Sequence, residues 1–299
     1  MSKSQLVPFC LVGLALVAMT AMVVTFEPKP HSPSAPVATS APAANDFTAV
    51  YDLRLTGTDI VPTSVIPLTT DKVAFFDRLS QQIVTVDTKN KSFTSLPTPP
   101  PNTQAVTSSG DTFYALADKL YRLDQDQWQE LTPPLETTAS FLIKFGDNFY
   151  LVGDNSIHKL LLSKHEQYLD YSPWLEASNY TFQPLDVYID GYIHLATRDG
   201  LQRLLRGQLD SKNYPFAANS LYLAADQDYF YLLLPESMQL LVIDQDYRLV
   251  TQKDDLPFTQ AQFLWLDADI HTAYTLQDQQ IWRFSLPTVN QDVSVSDSQ

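Results

Sequence analysis

The stretch DKLYRLDQDQWQELTPP, Asp118 to Pro134, holds two short runs of alternating apolar and polar residues, joined at Asp124-Gln125-Asp126 and stopped by two prolines. Alternation at period two is the mark of a half-buried strand, and two such runs joined by turn-forming residues read as a hairpin. The same phrasing recurs along the chain. An apolar-x-x-apolar run appears as IVTVD at Ile83, LYRLD at Leu120, IHKLL at Ile157, LQRLL at Leu201, LLVID at Leu240 and IWRFS at Ile281, a spacing of about 40 residues.

Each of these runs follows another that is rich in aromatic and β-branched residues: VAFFD at Val73, TFYAL at Thr112, NFYLV at Asn148, YIHLA at Tyr192, YFYLL at Tyr229 and IHTAY at Ile270. Such enrichment suits paired strands. An earlier run such as TSVIPLT or SLYLA opens the units, and a polar run such as SFTSLP or YRLVTQ closes most of them. A repeat of roughly 20 to 50 residues marks a repeat architecture, and four strands per unit is the blade of a β-propeller.

The ends of the repeat test this assignment. The sixth unit stops at IWRFSLP without a fourth strand, while FTAVYDLRL, Phe47 to Leu55, precedes the first complete unit. A strand supplied from the amino terminus completes the last blade and removes two open sheet edges. The pattern therefore predicts an all-β, six-bladed propeller over residues 47–287, with 288–299 as a loose polar tail. Helical repeats are disfavoured by the period-two alternation, and the missing GH…WD pattern argues against the WD40 type. In strand order, period and closure the chain resembles the six-bladed propellers as a class, including the NHL, TolB-like and calcium-dependent lactonase groups. That resemblance is architectural, and a fold does not by itself imply a function.

The first 46 residues read differently. Leu6 to Phe26 is an uncharged, apolar run, and 21 residues at helical rise reach about 31 Å, enough to cross a bilayer. We expect residues 1–26 to act as an uncleaved signal anchor, because the small-residue cleavage candidates around Ala18 to Ala21 lie inside the apolar run. Lys3 precedes the span, while Glu27 and Lys29 cancel after it. The positive-inside rule then places the propeller on the extracytoplasmic side. Residues 27–46, dense in Pro, Ala and Ser, cannot build a core and read as an extended spacer.

Composition limits the partners. The chain carries a formal net charge of −15, all of it beyond the amino-terminal segment. Such a surface repels phosphate backbones, so nucleic acid is not expected, whereas a basic protein, a peptide or a cation is a permissible partner. Cys10 is the single cysteine, which excludes an intramolecular disulfide and a cysteine-based zinc site. Glycine is scarce at 8 residues, so Asp, Asn, Ser and Pro must make most of the turns.

Catalytic motifs are missing. HEQYL at His165 lacks the second histidine of a zinc helix, and His165 and Glu166 are expected on an exposed turn. The Asp-Gln-Asp tripeptides at Asp124 and Asp244 suggest calcium, but the first runs into Trp128 and has no glycine, so both read as turns. The turns after the second strands carry one acid per blade, at Asp77, Asp118, Asp154, Asp199, Glu236 and Asp278, but the turns of the opposite face are equally acidic. His158, His194 and His271 fall in second or third strands and are expected to pack there.

The resemblance to calcium lactonases implies metal ligands on the innermost strands and adjoining loops. The corresponding strand starts offer Ser64, Gln104, Ser140, Asp186, Ser220 and Gln262. One carboxylate among neutral polar groups predicts no metal site, and calcium enters only in an alternative reading as a propeller hydrolase. A longer connection, PWLEASNYTFQP from Pro173 to Pro184, presents Trp174, Tyr180 and Phe182 as candidate interface anchors. Together with Asp186 these are the predicted binding residues of a non-catalytic module that binds protein or peptide. No catalytic residue is assigned.

Overall fold

The structure, a computed structural model, describes residues 47–57, 59–175, 181–267 and 271–289. The signal anchor, the spacer and most of the carboxy-terminal tail lie outside the described residues. Among those described, no helix is long and apolar enough to cross a membrane.

Among the described residues, twenty-four strands form six four-stranded antiparallel sheets, each one blade. Blade 1 comprises β2 (Ser64–Thr69), β3 (Lys72–Asp77), β4 (Gln82–Asp87) and β5 (Ser92–Ser95). Blade 2 comprises β6 (Ala105–Ser109), β7 (Thr112–Leu116), β8 (Leu120–Asp124) and β9 (Gln127–Glu130). Blade 3 holds β10 (Phe141–Phe145), β11 (Asn148–Gly153), β12 (Ser156–Leu162) and β13 (Tyr168–Pro173). Blade 4 holds β14 (Pro184–Ile189), β15 (Ile193–Thr197), β16 (Gly200–Leu205) and β17 (Gln208–Pro215). In blade 5 are β18 (Tyr222–Ala225), β19 (Tyr229–Leu234), β20 (Gln239–Asp244) and β21 (Leu249–Lys253). Blade 6 takes β22 (Gln262–Asp267), β23 (Thr272–Gln277) and β24 (Gln280–Ser285) from the carboxy-terminal end of the repeat, and β1 (Phe47–Asp52) as its outer strand. This is the closure anticipated from the two incomplete ends of the repeat. Each innermost strand neighbours the next, and β22 returns to β2, so the ring is closed.

The closing strand is shorter than the FTAVYDLRL run. Asp52 accepts a hydrogen bond from the Arg54 backbone N–H (3.0 Å) and pairs with its guanidinium (2.6 Å), turning Leu53–Thr56 into a 3-10 turn. Leu53 is thereby withdrawn from the sheet into the core and is fully buried.

The apolar residues form six clusters, and each joins two neighbouring blades. This explains the sequence of the middle strands. Alternate side chains of a middle strand enter the junctions on its two sides, so β3 and β15 are buried almost throughout, whereas β5 is exposed along its length. Phe75 and Phe76 show the rule, one in the cluster shared with blade 6 and the other in that shared with blade 2. Burial of such a side chain contributes about 1.5–3 kcal/mol.

Scarce glycine is replaced in the turns by polar residues. In the β8–β9 hairpin of blade 2, Asp124 pairs with Gln127 and the two-residue loop Gln125-Asp126 has φ of 48° and 64°, the signature of a type I′ turn. Asp278-Gln279, with φ of 53° and 65°, does the same in blade 6. Asp124 serves as a turn residue, as its sequence context indicated. Glu166 does not match its expectation: from the turn between β12 and β13 it reaches blade 2, where it accepts hydrogen bonds from Tyr114 Oη (2.6 Å) and from the Arg122 guanidinium. His271 lies in a turn with φ of 48° ahead of β23, not within a strand.

Candidate functional site

The starts of the innermost strands surround a cavity of about 630 Å³ at one mouth of the central channel. All six blades contribute to it. Five of the six strand-start residues anticipated from the repeat, Ser64, Gln104, Ser140, Asp186 and Gln262, are in its lining. The sixth, Ser220, precedes β18, and Tyr222 takes its place because that strand begins two residues later than the spacing suggested.

Asp186 is the single carboxylate of the lining. The register of β14 against β15 slips between Pro184 and Asp186, a bulge at Leu185 that sets Asp186 against the neighbouring blade. Its Oδ1 accepts the Val187 N–H (2.8 Å), and its Oδ2 accepts the Leu223 N–H of β18 (2.7 Å). The carboxylate thus satisfies an inner-edge donor that no further strand can pair. Burial without a nearby cation pushes its pKa up to about 7, against the pull of the two N–H donors. Tyr222 is held above its ordinary range by burial and by the Asp186 charge.

Beside these residues, Phe263 adopts φ of 66° within a second bulge, between Gln262 and Trp265. Thr275 Oγ1 donates to the Phe263 carbonyl at 2.8 Å and supports that backbone. Left-handed backbone at a bulky residue is costly, by roughly 1–3 kcal/mol, and such positions cluster at ligand sites. Here it places the Phe263 ring 5.7 Å from that of Tyr222. On the adjoining blade 1, Ser64 Oγ is buried with no hydrogen-bond partner among the described residues. Arg78 completes the lining from the turn between β3 and β4, its backbone N–H donating to Thr63 Oγ1 (3.1 Å).

Phe182 and Trp174 of the longer connection sit elsewhere. Phe182 is buried in the cluster between blades 3 and 4, with its N–H donated to Asn155 Oδ1 (2.6 Å). It also forms part of the wall of a cleft of about 430 Å³ that Asp154, Arg198 and Asp199 line. Trp174 packs edge-on to Tyr150 at 6.1 Å on the same cluster. Tyr180 lies outside the described residues. Neither Trp174 nor Phe182 is in the lining of the channel cavity with Asp186.

Of the histidines, His194 is 1% exposed. Its Nε2 is 2.9 Å from Asp190 Oδ1, and its Nδ1 is 2.5 Å from Tyr247 Oη of blade 5. This is an Asp-His-Tyr chain in which His194 and Tyr247 are buried between blades and Asp190 stands at the surface, and none of the three lines the channel cavity, so it acts as a junction. Burial lowers the His194 pKa despite the Asp190 contact, which suits a neutral ring that donates to Asp190 and accepts from Tyr247. His158 stacks on Tyr171 at 5.1 Å.

Asp77, one of the six acids in the turns after the second strands, is committed to its own turn. It is buried, and it accepts from the Val61, Leu79 and Ser80 N–H groups and from Ser80 Oγ. Burial alone would raise its pKa, but those donors together hold it below the usual carboxylate range.

Calcium, which the resemblance to lactonase propellers implies for the channel, takes roughly six to eight oxygens and is normally held by several carboxylates. The lining offers Asp186 together with neutral Ser and Gln side chains, and the Gln104 carbonyl oxygen is already occupied by the Ala139 N–H (3.0 Å). Among the described residues no group of three or more metal-ligating side chains exists. The residues present do not fit the ion.

No family model matches the sequence, and no curated protein matches it. Solved structures match in fold. The X-ray structure of a protein assigned as a gluconolactonase superposes with a TM-score of 0.53 at 11% identity, over 84% of this chain and 99% of that one. A chain of a nidogen/laminin complex gives 0.50 at 10% identity, over 64% and 79%, and the computationally designed protein Ika8 gives 0.50 at 11%, over 75% and 83%. At such identities the likeness shows the architecture alone: this chain is a six-bladed β-propeller.

Proposed function

We propose that this protein is a membrane-tethered, extracytoplasmic propeller that binds a protein or peptide at its channel mouth and performs no catalysis. The observation that carries this reading is the cavity itself. It is large enough for a side chain or a chain end, it is lined by all six blades, and its polar groups form no nucleophile–base pair and no multi-carboxylate metal set. Tethering is supported by the apolar run Leu6–Phe26, and the side of the membrane by Lys3 ahead of it. The acidic surface favours a basic partner through long-range attraction.

The test is site-specific photocrosslinking of the full chain in intact cells. A photoreactive residue at Gln262, in the cavity lining, should give a discrete adduct; one at Asp147, on the opposite face, should not. Equal labelling from both positions, or none from Gln262, would overturn the assignment. The alternative, a calcium-dependent hydrolase, draws on the gluconolactonase-like neighbour, and the donor set argues against it. Calcium titration followed by thermal melting should leave the midpoint unchanged, and a stabilisation of several degrees would restore that alternative.

A further inference from the structure

Two charged residues stand in the lining of the channel cavity, Arg78 and Asp186. They belong to blades 1 and 4, which are three steps apart in either direction around the ring, so the cation and the carboxylate occupy opposite walls. Arg78 is exposed and makes no ion pair among the described residues. Each oxygen of Asp186 accepts one backbone N–H, which leaves acceptor capacity on both. Tyr222 and Phe263 add two aromatic rings to the walls of the same cavity, on the two blades that follow Asp186, and aromatic faces attract cations.

We infer that the channel mouth binds a zwitterionic ligand of the amino-acid or short-peptide class, with its ammonium on Asp186 and its carboxylate on Arg78. The inference rests on the channel being the ligand site, as proposed above, and it names what that site selects. A guanidinium meets a carboxylate through two parallel hydrogen bonds. An ammonium has three donors, enough for Asp186 and a further acceptor. Burial leaves the Asp186 carboxyl short of a counter-charge, with its pKa at about 7, and an ammonium is the compensation such a site lacks. A ligand carrying one charge would leave the opposite wall unpaired.

Isothermal titration of the detergent-purified full chain with alanine, dialanine and trialanine tests this, because the length that spans the two walls should bind best. For that peptide, N-acetylation or carboxy-terminal amidation should each weaken binding by at least tenfold. Asp186→Asn should weaken the free peptide by a similar factor yet leave the N-acetyl form unchanged, and Arg78→Gln should do the same for the amide. Absence of binding at all three lengths, or affinities indifferent to both blocking groups, would overturn the inference, and the blocked peptides on the unaltered protein decide it even if Asp186→Asn folds poorly. The photocrosslink from Gln262 separates the two levels. A persistent adduct without peptide binding defeats the zwitterion and spares the binding module, whereas peptide binding without an adduct does the reverse.

Discussion

Two junctions of the ring use the same scaffold with different chemistry. At the junction of blades 2 and 3, Glu166 projects from the turn between β12 and β13 onto Tyr114 and Arg122, which face each other across β7 and β8. At the junction of blades 4 and 5, Tyr247 projects from the turn between β20 and β21 onto His194, whose cross-strand partner is Arg203. The positions correspond, so blades 2 and 4 present an aromatic–basic pair as a socket and blades 3 and 5 supply the arm. In the first junction the arm is an anion that meets the arginine directly, and both partners keep about a quarter of their side-chain surface in water. In the second the arm is neutral and buried. Arg203 then turns to its own blade, pairing with Asp210 and lying over Tyr192 at 4.4 Å. One repeat position therefore yields a solvent-screened junction or a dry one, according to the arm on the following turn and the socket residue it meets, Glu166 on Tyr114 or Tyr247 on His194.

The largest effect should come from emptying the dry socket. His194→Ala removes a ring that sits 4.5 Å from Phe230 and leaves the Tyr247 hydroxyl without its partner. We expect a loss of about 3 kcal/mol in urea unfolding. Tyr247→Phe should cost less, about 1–2 kcal/mol, since it leaves only His194 Nδ1 unsatisfied. Glu166→Gln, at the wet junction, should cost about 1 kcal/mol or less, and raising the salt concentration should shrink that difference but not the one caused by Tyr247→Phe. Equal costs with equal salt dependence would dissolve the contrast.

The smallest effect is a pair of opposed pH slopes. Burial holds the His194 pKa below its ordinary 6.5, so the unfolded chain takes up that proton first and stability falls as pH drops below about 6.5. His158, also held low by burial, acts in the same sense. Asp186 works the other way. Its folded pKa of about 7, raised from 3.8 by burial, keeps the proton on the folded protein, so stability falls as pH rises between those values. Melting curves of Asp186→Asn should show stability increasing from pH 5.5 to 7.5. Those of His194→Gln should show a shallower increase, or a decrease, over the same range.

The repeat made much of this legible in advance. The run LYRLD at Leu120 coincides with β8, and the missing outer strand of blade 6 was implied by the two ends. The strand starts pointed to five of the cavity residues, including Asp186. Arg78 and Tyr222 were not legible, because a turn residue and a strand start displaced by two positions reach the channel only once the blades are arranged around it. Likewise the two Asp-Gln-Asp tripeptides look alike in sequence. One closes a hairpin; in the other, Asp244 Oδ1 accepts the N–H groups of Asp246 and Arg248 and the turn carries Tyr247 into the neighbouring blade.

The amino-acid sequence alone thus determined the blade count, the strand order and the closure, since these follow from local alternation, turn chemistry and repeat length. Only the tertiary structure decided which polar residues became partners. Glu166 and Tyr247 each lie 44 residues beyond the corresponding arginine, Arg122 or Arg203, yet the first arm meets its arginine and the second meets His194, while Arg78 and Asp186 face each other from places in the repeat that have no such relation. They meet because ring closure and interblade packing bring distant turns together, and a side chain's charge state and partners depend on what is buried beside it.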